Sequence, residues 1–586
     1  MHSYSLPPYE GLTAYYGDLH NHCGISYGHG SLEEAFRNAR EQLDFCSVTG
    51  HALWPDMPEP DEAIQYIVDF HEAGFARLRE RWPEVQRVTE AYHRDGEFVT
   101  FLSFEMHSCA DGDYTVLYDG ARGDILEVDG LADLRARLRD LRRRGVSAIA
   151  FPHHIAYRRG QRGVNWATFD EAFSPVVEII SMHGCSEADE GTRPFLHVMG
   201  PSDHESTMQY GLSLGHCFGV IGSTDHHSAH PGSYGHGRTG LWARAKTRPA
   251  IWEALRARRT YALTGDRIEL QFAVNGHPMG ARIAPAARHQ NGAFEGVAAR
   301  HQNGASVGVA ARRQIAFRVL GGAPIDCVDV VKNGQLLRRF SRCDVEETRF
   351  FPKNLVSVGD SNLLRTKLYL EVGWGERGVR ADWEVQFGIS DGRILAVEPR
   401  FRGPEVVAPT DLADCSSPAT EGEPHLRERA PVSHWEPDGS LGVRFRTVTF
   451  GNPNNATPAT QGLCLDVEMP PGAEVRSVIN GRRVDVPLAW LLEGARAGRL
   501  GKIASPAYRF HRAPRRWEFD WEGAFEDVAP SEWRLCRSGG AQEAGSADVY
   551  YLRVRQVNDQ WAWSSPIWVA ARCEPGESNH VVRAPD

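Results

Sequence analysis

Three features that would indicate other classes of protein are missing from this sequence of 586 residues. There is no long basic run, and 65 Lys and Arg against 76 Asp and Glu give a formal net charge of −11, so we expect no nucleic-acid partner. No window approaches the roughly 20 apolar residues that a membrane-spanning helix needs, which predicts no membrane partner. With 41% hydrophobic and 24% charged residues, the composition is typical of a soluble globular protein.

Paired cysteine motifs are missing as well. The 11 cysteines are scattered along the chain without Cys-x-x-Cys spacing, which argues against a disulfide framework and against a structural zinc site. The first eight residues carry neither the basic start nor the apolar core of a signal peptide. We therefore expect a reducing, cytoplasmic environment.

Histidine, by contrast, is abundant and unevenly placed. Of the 25 histidines, 18 lie within the first 236 residues and 7 in the remaining 350. A chain of this length is expected to form about three or four domains of ~150 residues. The first part of the chain is therefore chemically unlike the rest.

The first part of the chain, residues 1–265, alternates short apolar runs with segments of helical period. Helices are predicted after Ser31, which can form a capping box with Glu34, and over 61–82 and 131–145. Alternating strands and helices predict an α/β fold with a parallel sheet, either a TIM-like (β/α) barrel or a doubly wound fold. Six runs predict strands, at 15–19, 45–49, 98–104, 146–151, 176–180 and 218–222.

Beyond residue 265 the pattern changes to short alternating runs rich in Val, Thr, Phe and Trp. Asn-Gly pairs at 275–276, 333–334 and 480–481 predict β-hairpins, so we expect a β-rich, sandwich-like region. A 12-residue tandem duplication within 286–312 is expected to be an expanded hairpin loop. The region divides into a β-rich domain at 266–403, a linker or long loop at 404–432, and a second β-rich portion at 433–586.

The informative feature of the histidines is their position relative to the predicted strands. Each of the six strands ends on His, Asp or Glu or is followed closely by one. Because the carboxyl ends of barrel strands meet on one face, these side chains are expected to converge in one cup. They are His20, His22 and His29 after the first strand, then His51, Glu105, His153, His154, His183, Asp225 and His227.

This combination of side chains favours a metal centre. Many neutral imidazoles and a few carboxylates cannot sit together away from water without a cation that accepts their lone pairs. Nitrogen and oxygen ligands without thiolate suit Zn²⁺, Mn²⁺ or Fe²⁺. About nine ligands are too many for one ion, so the sequence predicts two or three divalent metal ions. A single histidine after a strand can be an ordinary hydrogen-bonded residue. The occurrence of His, Asp or Glu at all six strand ends is not easily explained in that way.

The same residues resemble the motifs of the PHP (polymerase and histidinol phosphatase) superfamily. The motifs lie at 16–22, 48–51, 105, 152–154 and 223–227. The resemblance implies a distorted (β/α)7 barrel, a centre of two or three metal ions, and hydrolysis, most often of phosphoesters. A bacterial branch in which such a barrel precedes a β-rich region is similar at 254–266, 274–276 and 550–569.

Carried over position by position, the resemblance implies roles for individual side chains. Glu105 matches the carboxylate that bridges two ions, and either His153 or His154 matches the ligand at the proline motif, with alignment favouring His154. Gly50 and His29 stand where the family often has Asp, so the cluster is expected to be less acidic. The other implied ligands are His20, His22, His51, His183, Asp225 and His227.

Together these features predict a metal-dependent hydrolase. A hydroxide that bridges two ions is expected to attack a phosphorus or carbonyl centre, with Glu105 and Asp225 as catalytic carboxylates. The proton donor to the leaving group is expected among three histidines near the cluster, His226, His204 and His236.

The substrate is expected to be a small anionic molecule. Arg158, Arg238 and His236 are predicted to bind it, and the two arginines offer bidentate contacts to phosphate or carboxylate. A phosphomonoesterase or phosphodiesterase is favoured, and an amide, ester or lactone hydrolase would use the same centre. The alternative from another class is a non-catalytic protein whose β-rich region binds carbohydrate or protein.

Overall fold

The structure is a computed structural model, and it describes residues 5–196, 199–284, 311–347, 363–404, 433–452, 458–529 and 547–570. The fold is mixed α/β and rich in strands, with one large sheet and several smaller ones. Most of the tandem duplication at 286–312 and nearly all of the predicted linker at 404–432 lie outside the described residues. None of the helices in the described ranges is both long enough and apolar enough to cross a membrane.

Strands alternate with helices in the first part of the chain, as its sequence predicts. All six predicted strands are present, as β1, β2, β3, β5, β6 and β8 in the order below. The capping box is also confirmed, since the Ser31 N–H donates to Oε2 of Glu34 at 2.7 Å and the Glu34 N–H donates to Oγ of Ser31 at 3.1 Å. The elements are a 3-10 turn (Pro7–Tyr9), β1 (Thr13–Asp18), α1 (Leu32–Gln42), β2 (Phe45–Leu53), α2 (Gln65–Tyr92), β3 (Val99–Met106), β4 (Tyr114–Tyr118), α3 (Leu131–Arg143), β5 (Ala148–Pro152), β6 (Val176–Ser181), β7 (Gly184–Cys185), a second 3-10 turn (His204–Ser206), α4 (Met208–Ser213), β8 (Gly219–Gly222), β9 (Arg238–Ala243), α5 (Arg248–Arg256) and β10 (Thr260–Leu263).

Hydrogen bonding sets β1, β2 and β3 side by side and parallel. The additional strand β4, which no sequence pattern predicts, is antiparallel to both β3 and β5, because only a short loop separates it from β3. β6 and β8 are parallel to each other and form a separate sheet with β7. The described strands of this part of the chain thus belong to two sheets, and the closed (β/α)7 barrel stays a prediction.

The second part of the chain is built largely from strands. Short helices lie at Arg342–Glu347, Leu488–Glu493 and Arg516–Phe519. The strands are β11 (Glu269–Val274), β12 (His277–Pro278), β13 (Arg282–Ile283), β14 (Ala311–Leu320), β15 (Ile325–Lys332), β16 (Gln335–Ser341), β17 (Leu364–Gly373), β18 (Arg380–Ile389), β19 (Arg393–Arg400), β20 (His434–Pro437), β21 (Gly442–Phe450), β22 (Gln461–Met469), β23 (Glu474–Ile479), β24 (Arg482–Arg483), β25 (Val486–Pro487), β26 (Arg496–Arg499), β27 (Ala507–Phe510), β28 (Asp520–Ala529), β29 (Ala547–Gln556), β30 (Trp561–Ser564) and β31 (Ile567–Ala570).

The three Asn-Gly pairs form hairpin turns, as predicted. The φ angles are 50° and 74° at 275–276, 51° and 77° at 333–334, and 46° and 78° at 480–481. Both residues of each pair adopt the left-handed conformation that a two-residue type I′ turn requires and that asparagine and glycine tolerate best. The turns join β11 to β12, β15 to β16 and β23 to β24.

Two sheets in the second part of the chain pack against each other. One contains β19, β22, β17, β27 and β26, and the other contains β20, β21, β18, β23 and β24 with β25 beside β23. Their buried side chains form one core, to which Leu370 and Leu465 contribute from the first sheet and Val385 and Phe445 from the second. This pair of sheets matches the sandwich-like region expected from the sequence.

Strands from both parts of the chain share the largest sheet. β10 pairs antiparallel with β30, so that Tyr261 lies opposite Ser564, and β30 continues through β29 to β31 and β13. Trp563 on β30 is fully buried, and its indole N–H donates to Oε2 of Glu187 at 2.8 Å. The sheet thus crosses the domain boundary predicted after residue 265, and the division into four segments stays a prediction.

We expect Trp563→Ala to lower the free energy of unfolding by about 3–5 kcal/mol, because it removes a buried indole and takes a donor from the buried Glu187 carboxylate. The matched control is Trp561→Ala, since the Trp561 ring stacks on that of Trp563 at a centroid distance of 5.9 Å but is partly exposed. This variant should lose clearly less stability. Urea unfolding measures both variants, and a negligible loss in Trp563→Ala would contradict this contribution to the core.

Candidate metal centre

The carboxyl ends of three adjacent parallel strands carry one half of the site. His20 and His22 follow β1, His51 lies in β2, and Glu105 lies in β3. Parallel pairing of β2 with β3 sets His51 directly beside Glu105. His20 and His22 lie just beyond the end of β1, where the chain bends at 19–20, and both approach this carboxylate. The strand register therefore gathers three imidazoles around Glu105.

Three further strand ends carry the other half of the site. Two histidines, at 153 and 154, follow β5, His183 follows β6, and Asp225 and His227 follow β8. Asp225 has a φ of 52°, a left-handed conformation that is uncommon outside glycine. Its N–H donates to the carbonyl oxygen of His20 at 2.8 Å, so a backbone hydrogen bond joins the two halves.

The carboxylate of Asp225 lies within 3.4 Å of three of the histidines. Its Oδ1 lies 3.0 Å from Nε2 of His22 and 3.4 Å from Nε2 of His20, and its Oδ2 lies 2.8 Å from Nε2 of His183. The Nε2 atoms of His20 and His22 are themselves 3.1 Å apart. Two ring nitrogens at this distance direct at least one lone pair into the space between them. Imidazoles bind metal ions through such a lone pair.

Glu105 is a second point of convergence. Its Oε2 is buried and, among the described residues, has no hydrogen-bond partner. Nε2 of His20 and Nε2 of His22 lie 3.4 Å from this oxygen, and Nε2 of His51 lies 3.6 Å from it. A buried carboxylate oxygen without a hydrogen bond is unfavourable, whereas a divalent cation between these four atoms would satisfy all of them. The donor set therefore fits a metal site.

Four groups of side chains in the described part of the chain bring their ligand atoms within 4.8 Å of one another and could hold metal ions. Three of them offer nitrogen and oxygen ligands and one offers nitrogen alone, and such ligands suit Zn²⁺, Mn²⁺ or Fe²⁺. Two of the groups share the Glu105 carboxylate, as expected for ions held close together, and other groups share an imidazole. They are the imidazole group (His22, His51 and His227), the Asp225 group (His20, His22 and Asp225), the His107 group (His51, Glu105 and His107) and the Asp113 group (Glu105, Asp113, His153 and His154).

Hydrogen bonds on the far side of the rings hold two of the imidazoles in place. Nδ1 of His20 lies 2.9 Å from Oε2 of Glu178, a fully buried side chain of β6. Nδ1 of His22 lies 2.7 Å from the carbonyl oxygen of Thr49. A proton on each Nδ1 leaves the Nε2 lone pair facing the centre, which is the arrangement that second partners impose on metal-binding histidines.

Burial and neighbouring charges set the protonation states of the site. Burial would raise the pKa of Glu105, but interactions with the His107, His153 and His51 side chains hold this pKa well below its usual range. Burial lowers the pKa of His153 to about 3, and the proximity of His20 acts in the same direction. These shifts favour an ionised carboxylate and a neutral imidazole, the states in which both bind metal ions.

The structure brings most of the predicted ligands together. His183 lies outside the four groups but contacts Asp225, as described above. Among the described residues, His29 belongs to none of the groups, and its backbone N–H donates to the carbonyl oxygen of His227 at 2.7 Å. The ligand role of each side chain stays a prediction. The predicted ligands found in the groups are His20, His22, His51, Glu105, His153, His154, Asp225 and His227.

Three residues predicted for proton transfer or substrate binding lie in a second cluster beside the centre. The rings of His226 and His236 stack at a centroid distance of 5.5 Å, and Nε2 of His226 lies 3.2 Å from the carbonyl oxygen of Pro404. Arg238 is fully buried, and its Nε and Nη2 donate to the carbonyl oxygen of Gly232 at 3.0 and 2.6 Å. These side chains thus contact other groups of the protein, and their roles in proton transfer or substrate binding stay predictions.

Sequence patterns do not identify Asp113, Glu178 or Arg162, although all three contact the centre. Asp113 precedes β4, the strand that no pattern predicts, and Glu178 lies inside a continuous apolar run. Arg162 lies in a turn between two glycines, four residues beyond Arg158. The signal that could have identified Arg162 is the turn after the Pro-His-His motif, which has a glycine on each side of this arginine. The predicted Arg158 is exposed.

Several proteins are similar to parts of this chain. A family model described as a protein of unknown function (DUF3604) matches residues 232–300. An uncharacterized protein of Chlamydia pneumoniae is 26% identical over 228 residues, which cover 36% of this chain and 34% of that protein. Uncharacterized proteins of Chlamydia muridarum and Chlamydia trachomatis are each 28% identical over 203 residues, covering 33% of this chain and 30% of each relative. The chain thus spans about a third of the length of the curated relatives it matches.

One solved structure is similar at low identity. It is a two-domain protein from Bacteroides vulgatus that contains a predicted PHP-like metal-dependent phosphoesterase. The identity is 15%, the alignment covers 56% of this chain and 82% of that chain, and the TM-score is 0.28. A likeness at this TM-score carries no inference, and we infer the metal centre from the donor atoms alone.

We expect Glu178→Gln to weaken the binding of divalent metal ions by about 10- to 100-fold, because His20 loses the charged acceptor behind its ring. The matched control is Glu187→Gln, which alters another buried glutamate that binds Tyr551 and Trp563 rather than a candidate ligand. Titration of chelator-treated protein with Zn²⁺ or Mn²⁺ measures the affinity. An unchanged affinity in Glu178→Gln, or an equal loss in both variants, would contradict this role.

Proposed function

We propose that this chain is a metal-dependent hydrolase of the PHP type that acts on phosphoesters. The observation that carries the proposal is the buried Oε2 of Glu105, which has no hydrogen-bond partner among the described residues and has three imidazole Nε2 atoms within 3.4–3.6 Å. Structural metal sites usually enclose one ion with four protein ligands. Two groups that share the Glu105 carboxylate suit adjacent ions, the arrangement used in metal-assisted hydrolysis.

Three side chains at the centre are more exposed than the others, and together they are called its open side. The side chains of His183, His227 and Arg162 are 6%, 12% and 15% exposed. Glu105 and the three histidines His20, His22 and His51 are at most 3% exposed. A substrate is therefore expected to approach along the side formed by His183, His227 and Arg162.

Divalent ions bound in the centre would polarise the substrate and lower the pKa of a water molecule. The chain's own residues prepare this chemistry. Glu105 and Asp225 supply the negative charge that the ions require, and both are ionised in their surroundings because the adjacent imidazoles outweigh the effect of burial on each pKa. The Tyr157 hydroxyl lies 2.8 Å from Nδ1 of His183 and orients this ring at the open side.

The charge of the open side favours an anionic substrate. The guanidinium of Arg162 lies there, with its Nε donating to Oδ2 of Asp113 at 2.7 Å. A permanent positive charge next to bound cations attracts a phosphate group more strongly than a neutral ester or amide. This is the feature of the described residues that favours phosphoesters over acyl substrates.

The same proposal includes a distorted (β/α)7 barrel, a cytoplasmic location and a small anionic molecule as partner. β5 lies beside β6, and β8 lies beside β9 and β10, so the two sheets approach each other at two places. All eight cysteines of the described residues are free thiols, which fits a reducing compartment.

Hydrolysis assays test the proposal directly. Protein supplied with Zn²⁺, Mn²⁺ or Fe²⁺ is expected to cleave p-nitrophenyl phosphate mono- or diesters in preference to acyl esters and anilides. Asp225→Asn and His20→Ala should lower kcat/KM by about 10²- to 10³-fold, because each removes a charge or a ligand at the centre. Asp382→Asn and His434→Ala are matched controls, since these side chains are 69% and 57% exposed in the β-rich region.

The outcomes separate the candidate activities. Turnover that survives both Asp225→Asn and His20→Ala would contradict the metal-dependent hydrolase. Cleavage of acyl esters or anilides alone would contradict the phosphoester assignment and favour the amide, ester or lactone hydrolase. Metal binding without turnover of any of these substrates would favour a non-catalytic protein.

A further inference from the structure

The Asp113 group already contains a cationic side chain of the protein. Nε of Arg162 donates to Oδ2 of Asp113 at 2.7 Å, and Nη2 of Arg162 contacts the same oxygen. Nη2 also lies 4.0 Å from Oε1 of Glu105 and contacts Nδ1 of His107. The carboxylate oxygens that a metal ion would need in this group therefore face a positive charge.

The backbone of the turn after β5 brings Arg162 into this position. Its φ is 69°, in the left-handed region that arginine rarely adopts. A Cβ on the next residue, Gly163, would lie 1.6 Å from the carbonyl oxygen of Tyr157, so the turn requires glycine there. Strained conformations of this kind persist where surrounding contacts hold them, and they are concentrated at functional sites.

Contacts with further side chains hold the guanidinium of Arg162 in place. Its central carbon lies 5.3 Å from the centre of the Trp54 ring, and Nη1 lies 2.9 Å from Sδ of Met199. Arginine remains protonated at any pH at which the protein is folded. The positive charge beside Asp113, which is fully buried, is therefore permanent.

Shared ligands limit how many ions the four groups can hold. Each imidazole offers one ligand atom, and a ring nitrogen has one lone pair. His22 therefore cannot serve the imidazole group and the Asp225 group together, and His51 cannot serve the imidazole group and the His107 group together. A carboxylate has two oxygens, so Glu105 can serve both the His107 group and the Asp113 group. The Asp225, His107 and Asp113 groups thus set an upper limit of three ions.

We infer that the guanidinium of Arg162 takes the place of a metal ion in the Asp113 group, so that the centre holds two divalent ions and one guanidinium. This rests on the metal-dependent hydrolase proposed above and specifies its metal content. A divalent ion and a guanidinium on the same carboxylate repel each other, so an ion could enter only if Arg162 left its buried partner. The two or three ions predicted from the sequence are thereby reduced to two.

Metal stoichiometry tests this inference. The full chain is treated with chelator, loaded with excess Zn²⁺ or Mn²⁺, separated from unbound ions by gel filtration and measured by elemental analysis. Wild-type protein is expected to retain two equivalents. Arg162→Met keeps an apolar stem without the charge and should retain three, whereas Arg162→Lys keeps the charge and should retain two. Three equivalents in the wild type, or no gain in Arg162→Met, would overturn the inference.

Asp113→Asn gives a second test that does not depend on the folding of Arg162→Met. If Asp113 binds Arg162 rather than a metal ion, Asp113→Asn retains two equivalents while its melting temperature falls, because a buried guanidinium loses its partner. Loss of one equivalent in Asp113→Asn would show that Asp113 is a metal ligand and would overturn the inference.

Failure of the inference can be distinguished from failure of the proposed function. Wild-type protein that retains no divalent ion after loading would overturn both. Wild-type protein that retains three ions and hydrolyses phosphoesters would overturn the inference and leave the proposed function in place.

Discussion

Nitrogen and oxygen lone pairs that are buried side by side are unfavourable unless a positive charge lies between them. The carboxyl ends of β1, β2 and β3 create this situation at Glu105, because they place imidazole nitrogens beside its buried carboxylate. Strand register brings His20, His22 and His51 to one oxygen of this carboxylate. The rings cannot easily turn away, because Glu178 holds the far side of His20 and the Thr49 carbonyl holds that of His22. The same need for positive charge explains why the nearby carboxylate of Asp113 is paired with a guanidinium.

Much of the site could be predicted because its signals are local. A strand end and a residue type are both visible in a few consecutive positions, and His20 and His22 follow the end of β1 directly. The capping box at Ser31 and the three Asn-Gly turns are equally short-range. Each of these features appears in the structure where the sequence indicates it.

The features that could not be predicted depend on contacts between distant positions. β4 is antiparallel within an otherwise parallel run, and the role of Asp113 follows from the placement of that strand. Arg158 and Arg162 have the same chemistry, and only the conformation of the turn directs the second one inward. Arg238 follows the Asp-x-His motif in sequence, but burial in β9 turns its donors to carbonyl oxygens of the protein.

The pairing of β10 with β30 has a consequence for the synthesis of this protein. The hydroxyls of Thr260 and Ser565 meet at 3.0 Å although 305 positions separate them along the chain. The ribosome therefore releases β10 long before its partner strand exists, and the growing chain carries an exposed sheet edge next to the histidine-rich half. The histidine-rich half can be completed only after β30 has been synthesised, so nascent chains need protection from aggregation during this interval.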